Sequence, residues 1–283
     1  SSAASDVYKR QKGIGYYKDS FIIFTTNGLY RVGQDGKVLS KKLLNDLPQV
    51  KEDGYGIAVP GLSIYFSVYS FFGFDASKGV VALPLYSYEK DATGEYPKKV
   101  LVISCDDWTI RNEVEIDCPD IIKKEGDMQL LSCINVLPHG DWLIYNFPAS
   151  SKVYVYDLSA KKSKEYDFPS TFTDSFFRLP DMNEEEPGFG CLKTGYYFPL
   201  CYDAYHDVFW RVQQGPLDGH GVAGKPFSVM CISTDLMNSA EYVIPAGSKI
   251  YPDLAFTDSL VLLPYTGGDK IGENNMCFYG LKY

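Results

Sequence analysis

The sequence predicts an all-β protein, a β-propeller with about five blades in this chain, and three observations predict it. Apolar runs of four to six residues, bounded by Gly, Asp, Asn or Pro, recur along the chain while helical periodicity is scarce. Aromatic residues make up 15% of the chain, with 23 Tyr and 17 Phe, and flat rings pack well on a pleated surface. One unit returns several times: a turn residue, a short apolar strand, a loop, then a strand hairpin.

The first copy has Asp19 and Ser20, then strands at 21–24 and 29–32, a turn and a strand at 37–43. The second begins at Gly79 and runs through strands at 80–86, 99–104 and 109–116. The third follows Gly140 and Asp141, with strands at 142–147, 152–158 and 162–168. The fourth starts at Asp207, with strands at 208–212, 227–233 and 239–244 around a long Gly-rich loop. The fifth starts at Asp258, has strands at 259–265 and 276–283, and stops at Tyr283 with its third strand barely finished.

Asp19, Gly79, Asp141, Asp207 and Asp258 are spaced by 60, 62, 66 and 51 residues. A four-stranded blade takes roughly 40 to 50 residues, and longer loops extend it to this period. The segments between copies, 56–59, 131–137 and 195–203, supply the innermost strand of each sheet. A β-sandwich also gives many short strands, but a repeated four-strand unit favours the propeller. Short helices are expected only at 119–131 and 171–182. A chain of 283 residues suits one propeller domain, because each module packs on its neighbours.

Residues 1–11 have no strand period and read as a non-native leader, so the domain is taken as 12–283. The native protein is expected to extend upstream of Lys12, with that part completing the ring and supplying the outer strand of the fifth copy. The net charge of −9 lacks the basic footprint of a nucleic-acid binder, and no apolar stretch approaches the ~20 residues of a membrane span. Seven cysteines, at 105, 118, 133, 191, 201, 231 and 277, form no C-x-x-C pair and mostly sit in apolar runs, so they read as buried thiols packed like small hydrophobes.

No H-x-x-x-H, H-E-x-x-H, P-loop, dinucleotide or G-x-S-x-G motif is present, so neither a metal nor a cofactor is expected. His139, beside Gly140, reads as a turn residue, and the acidic run Glu184, Glu185 and Glu186 as a solvated loop. The loop from Gly267 to Asn275 offers oxygen ligands without the order of a calcium loop. The densest polar cluster is Asp203, His206, Asp207 and Arg211 at the start of one strand, where alternation puts Phe209 and Arg211 opposite Val208, Trp210 and Val212. Asp203, Tyr205, His206 and Arg211 are the candidate ligand-binding residues; the competing reading is a turn with an ion-paired Arg.

The segments 202–212 and 183–190, with the repeated strand pattern, resemble the TolB-like six-bladed propeller lipoproteins of gut Bacteroidota, over residues 13–283. The resemblance implies a six-bladed ring, of which this chain shows about five blades, on a lipid-anchored cell-envelope protein. It supplies no catalytic residues. The expected function is non-catalytic binding of a ligand or envelope partner at the central mouth. The alternative is an envelope glycan hydrolase or lyase, which needs convergent carboxylates, one of them kept protonated by an apolar setting.

Overall fold

The computed structural model describes residues 11–56, 72–87, 89–91, 97–119, 122, 133–177, 194–216, 225–265 and 277–282. Among the described residues five antiparallel sheets follow one another, each running from an inner strand outward. Blade 1 is β1 (Gln11–Tyr17), β2 (Ser20–Thr25), β3 (Gly28–Gly33) and β4 (Val38–Leu43). Blade 2 is β5 (Tyr55–Gly56) and β6 (Gly73–Asp75), both paired to β7 (Val80–Ser87), then β8 (Lys98–Ser104) and β9 (Ile110–Ile116). Blade 3 is β10 (Asn135–His139), β11 (Trp142–Asn146), β12 (Lys152–Asp157) and β13 (Lys162–Asp167). Blade 4 is β14 (Tyr196–Tyr197) and β15 (Cys201–Asp203), both paired to β16 (Val208–Gln214), then β17 (Phe227–Ser233) and β18 (Ser239–Ile244). Blade 5 is β19 (Ala255–Phe256), β20 (Leu260–Tyr265) and β21 (Cys277–Lys282).

The repeat markers are the residues that turn the chain from the inner strand into the second. Asp19, Gly79, Gly140 and Asp207 have φ of 56°, 59°, 60° and 53°, a left-handed conformation that Gly and Asp enter at least cost. The third marker is therefore Gly140 and not its neighbour Asp141. A second left-handed residue, Gly36, Trp108, Lys161 or Leu236, closes the outer hairpin of blades 1 to 4. For Trp108 the strain is offset by packing: the ring is buried and its Nε1 donates to Ser40 Oγ of blade 1 at 3.0 Å.

Both faces of the interior sheets are buried. Ile22, Phe24 and Leu29 of blade 1 meet Val81, Leu83, Leu101 and Ile103 of blade 2. The opposite face of blade 2, with Ala82, Val100 and Val114, meets Val136, Leu143 and Tyr145 of blade 3. Ile144, Val153 and Val155 of blade 3 then meet Phe209, Met230 and Ile232 of blade 4. Each such aliphatic side chain contributes about 1.5–3 kcal/mol on burial. At the ends of the series the faces differ: Ile14, Tyr16 and Val38 of blade 1 are exposed, as is Phe278 of blade 5 on the face opposite Leu263 and Leu281.

β1 begins at Gln11, so the inner strand of blade 1 takes in one residue assigned to the leader. Residues 171–177, expected to open a helix, run as turns and a single bridge from Phe176 to Ser150. Their backbone finds partners elsewhere: Thr171 N–H donates to Glu241 Oε2 of blade 4 at 2.9 Å, and Phe172 N–H to Ser170 Oγ at 3.0 Å. A helical turn at Pro48–Lys51, with Pro at its first position, was not expected. The other helical stretch, the acidic run at 184–186, His220, Cys191 and the loop 267–275 lie outside the described residues, but for Ile122 in a helical turn and the flanking Pro119.

Blades 2 and 3 approach closely at Gly73 of β6, where an added Cβ would overlap Pro138 and the Val136 carbonyl of β10. Gly73→Ala is expected to destabilise the protein by about 1–3 kcal/mol, read as a lower urea midpoint at unchanged slope. An unchanged midpoint would show that blades 2 and 3 do not meet this closely.

Candidate functional site

The candidate cluster sits where β15 turns into β16. Asp203 ends β15 fully buried, and its Oδ1 accepts the Tyr205 N–H at 2.9 Å. Its Oδ2 faces His206 Nδ1 at 3.1 Å, and His206 Nε2 faces the Asp258 carbonyl of the next blade at 3.0 Å. A ring proton on either nitrogen thus has an acceptor. Asp207 takes the left-handed position, with Oδ1 accepting from the Tyr202 hydroxyl at 2.9 Å. Tyr205 projects outward from this braced turn and is 66% exposed.

Blade 2 repeats the device. Asp75 ends β6, its Oδ1 accepts the N–H of Ser77 and Lys78 and the Ser77 hydroxyl, and its Oδ2 accepts the Gly140 N–H of blade 3 at 2.9 Å. Burial by itself would push this carboxyl up, but the hydrogen bonds from Ser77, Gly140 and Lys78 together outweigh it and hold Asp75 below the usual 3.8. The two devices share a signal legible in the chain: Asp75-Ala76 and Asp203-Ala204 each stand four residues before a turn marker. Sequence reasoning singled out Asp203 and missed Asp75.

Arg211 does not share this surface. It lies in mid-strand on the face of β16 turned to blade 3, at 0% exposure, donating from Nη1 to the Ser151 carbonyl at 2.8 Å and from Nη2 to the Phe168 carbonyl at 2.7 Å. Its guanidinium lies 4.6 Å from the Tyr197 ring centroid. Burial pushes it down to about 10, with Tyr197, Asp167 and Glu241 acting in the opposite sense, so it stays charged at neutral pH. The expected alternation holds: Phe209 and Arg211 face blade 3 while Trp210 and Val212 face the other way. The expectation that Arg211 borders an open mouth is corrected: the side chain is sealed between blades 3 and 4, and among the described residues it bonds carbonyls and no carboxylate.

The same seam holds Glu241, whose carboxylate accepts from the Ser170, Thr171 and Ser228 hydroxyls and the Thr171 N–H. Burial pushes Glu241 up, but these bonds prevail and keep it lowered. His139, expected as a turn residue, ends β10 and packs between blades, its ring 4.3 Å from Tyr202 and 5.2 Å from Phe209. Among the described residues no three His, Cys, Asp or Glu side chains converge as metal ligands, and no helix is long and apolar enough to cross a membrane.

Three comparisons bear on this geometry. Residues 15–237 match the family described as "Domain of unknown function (DUF4221)". The structure is similar to that of a DUF4221 member from Bacteroides vulgatus, at 15% identity and a TM-score of 0.62, covering 94% of this chain and 76% of that one. It also matches a protein of unknown function from Bacteroides caccae, at 8% identity and a TM-score of 0.47, covering 95% of this chain and 76% of that one. No curated protein matches the sequence. The first likeness shows the β-propeller fold.

Two outcomes follow from the geometry. Arg211→Ala takes the side-chain donors from the Phe168 and Ser151 carbonyls, leaving the latter only the long Phe168 N–H bond at 3.4 Å, and is expected to cost about 3 kcal/mol, measured by urea unfolding; a loss under 0.5 kcal/mol would return Arg211 to the surface. Because the folded Asp75 carboxyl is held below 3.8, its contribution is complete above about pH 4 and is lost as pH falls through the folded value. Asp75→Asn is therefore expected to lower stability at pH 7 and to flatten the fall in stability between pH 5 and pH 2, and an unchanged acid limb would contradict it.

Proposed function

This chain belongs to the DUF4221 family, and on that premise we propose that it is a non-catalytic binding propeller whose contact surface is the end of the ring carrying the Tyr205 turn. The observation that carries this reading is the contrast at that turn. Tyr205 is exposed, yet its backbone is fixed by a fully buried Asp203 and its neighbour His206 ties the turn to blade 5. A large aromatic held out on a rigid support loses little freedom on binding, which is the property of an anchor residue. Met237, in the outer-hairpin turn of the same blade, stands at the same end and is 73% exposed.

Hydrolysis of a glycan needs a carboxylic acid kept protonated near neutral pH. The enclosed carboxylates Asp75 and Glu241 are instead held as anions, occupied by donors from their own and the neighbouring blade. They fasten the ring. We further read the ring as the six-bladed type, with a sixth blade lying against the exposed apolar faces of blades 1 and 5, and the protein as displayed in the cell envelope by an upstream lipid anchor. The exposed side chains on those faces support the first, and the sequence resemblance supports the second.

The test is a thermal-shift screen of the full chain against peptidoglycan fragments, oligosaccharides and peptides, with titration calorimetry on any hit. Tyr205→Ala is expected to weaken that hit at least about ten-fold with an unchanged melting temperature. Unaltered affinity, or turnover of the hit, overturns the reading.

A further inference from the structure

At the other end of blade 2, two cysteines flank the connection to blade 3. Tyr86, Lys98 and Ile116 form one cross-strand row on β7, β8 and β9. Cys118 follows two residues beyond Ile116, and Lys98 Nζ donates to its Sγ at 3.1 Å. Cys133 directly precedes Ile134, whose N–H donates to the Tyr86 hydroxyl at 2.8 Å. Burial pushes the Tyr86 hydroxyl well above its usual value, and Cys133 and, last, Cys118 act in the same sense. Tyr86 and Lys98, paired across β7 and β8, therefore anchor the two cysteines side by side: Lys98 holds the Cys118 thiol just past the outer strand of one blade, and Tyr86 holds the backbone next to Cys133 just before the inner strand of the next.

This pair differs from the other described cysteines. Cys105 is buried in the core between blades 1 and 2, and burial pushes its thiol up to about 12; Cys201 is pushed up to about 11 in the same way. In both, burial disfavours the thiolate. Cys118 and Cys133 are half-buried, as are Cys201, Cys231 and Cys277; what sets the pair apart is the ammonium against the Cys118 sulfur and the Tyr86–Lys98 pairing beside both. Neither serves the turn-end surface at Tyr205.

We propose that Cys118 and Cys133 are a redox pair that closes to an intramolecular disulfide by exchange with a donor disulfide, fastening blade 2 to blade 3. The Cys118 thiolate, beside Lys98, attacks one donor sulfur, forming a mixed disulfide and expelling the first donor thiolate. The Cys133 thiolate then attacks Cys118 Sγ, forming the internal bond and releasing the second donor thiolate. Two protein thiols lose two electrons, one donor disulfide gains them, and the two thiol protons pass to the donor thiolates. The bond closes the loop from Cys118 to Cys133 and restricts the unfolded chain.

The experiment incubates the reduced full chain with glutathione disulfide, quenches with N-ethylmaleimide and maps peptides by mass spectrometry without reduction. The expected result is one cross-linked pair, Cys118 with Cys133, lighter by two hydrogens, with a melting temperature raised on the order of 5 °C and restored by dithiothreitol. Lys98→Met is expected to slow closure about ten-fold without changing which cysteines pair. Separate glutathione adducts on the two cysteines, pairing with any other cysteine, or closure only in the denatured chain would each overturn the proposal. The outcome is read on the folded chain without any ligand, so it stands apart from the fate of the binding function.

Discussion

Burial of both faces of every interior blade is the constraint on which the rest of this structure depends. A lone four-stranded sheet of this composition would leave Val81, Leu83, Leu101 and Ile103 in water on one side and Ala82, Val100 and Val114 on the other. Stacking the sheets in sequence order removes both faces from water at once. It also brings inner strands so close that side chains must be dispensed with at Gly13 and Gly15, where the rings of Phe72 and Phe74 lie on the backbone of β1, and at Gly73 against β10. The glycines are thus part of the packing and not merely of the turns.

Apolar burial has no direction, so it does not fix how one blade is rotated on the next. Polar fasteners supply that. Asp75 reaches the Gly140 amide, His206 the Asp258 carbonyl, Trp108 the Ser40 hydroxyl and Arg211 two carbonyls of blade 3, each joining adjacent blades. The bonds of Arg211 are buried and those of Asp75 and Trp108 partly so, which makes an unmade bond costly there and holds the register between blades. A consequence is that the turn end is braced by hydrogen bonds to its own and the next blade while Tyr205 stands exposed on it. Rigidity and exposure together are what a recognition surface requires.

Much of the fold was legible because its signals are local. The markers are legible since a left-handed turn accepts Gly and Asp most cheaply: Asp19, Gly79 and Asp207 carry that conformation, and Gly140 carries it beside Asp141. Alternation on β16 was legible since period two is enforced by the strand itself. What the chain did not disclose was partnership across blades. Arg211 reads in sequence as a charged neighbour of Asp203 and His206, eight and five residues away, whereas its partners are Ser151 and Phe168, 60 and 43 residues earlier. The segment 171–177 reads as helix from its composition, yet Glu241 of another blade captures its backbone. His139 likewise looks like a turn residue until the rings of Tyr202 and Phe209 close on it.

The central claim is that the inner turns are clamped by buried carboxylates, which makes the Tyr205 end a preformed surface. Native-state hydrogen exchange tests it most directly, because the Tyr205 amide bonds to Asp203 and the Gly140 amide to Asp75. The account predicts that both amides exchange as slowly as those in the interior strands, approaching the free energy of global unfolding. Exchange at the rate of ordinary exposed turns would contradict it.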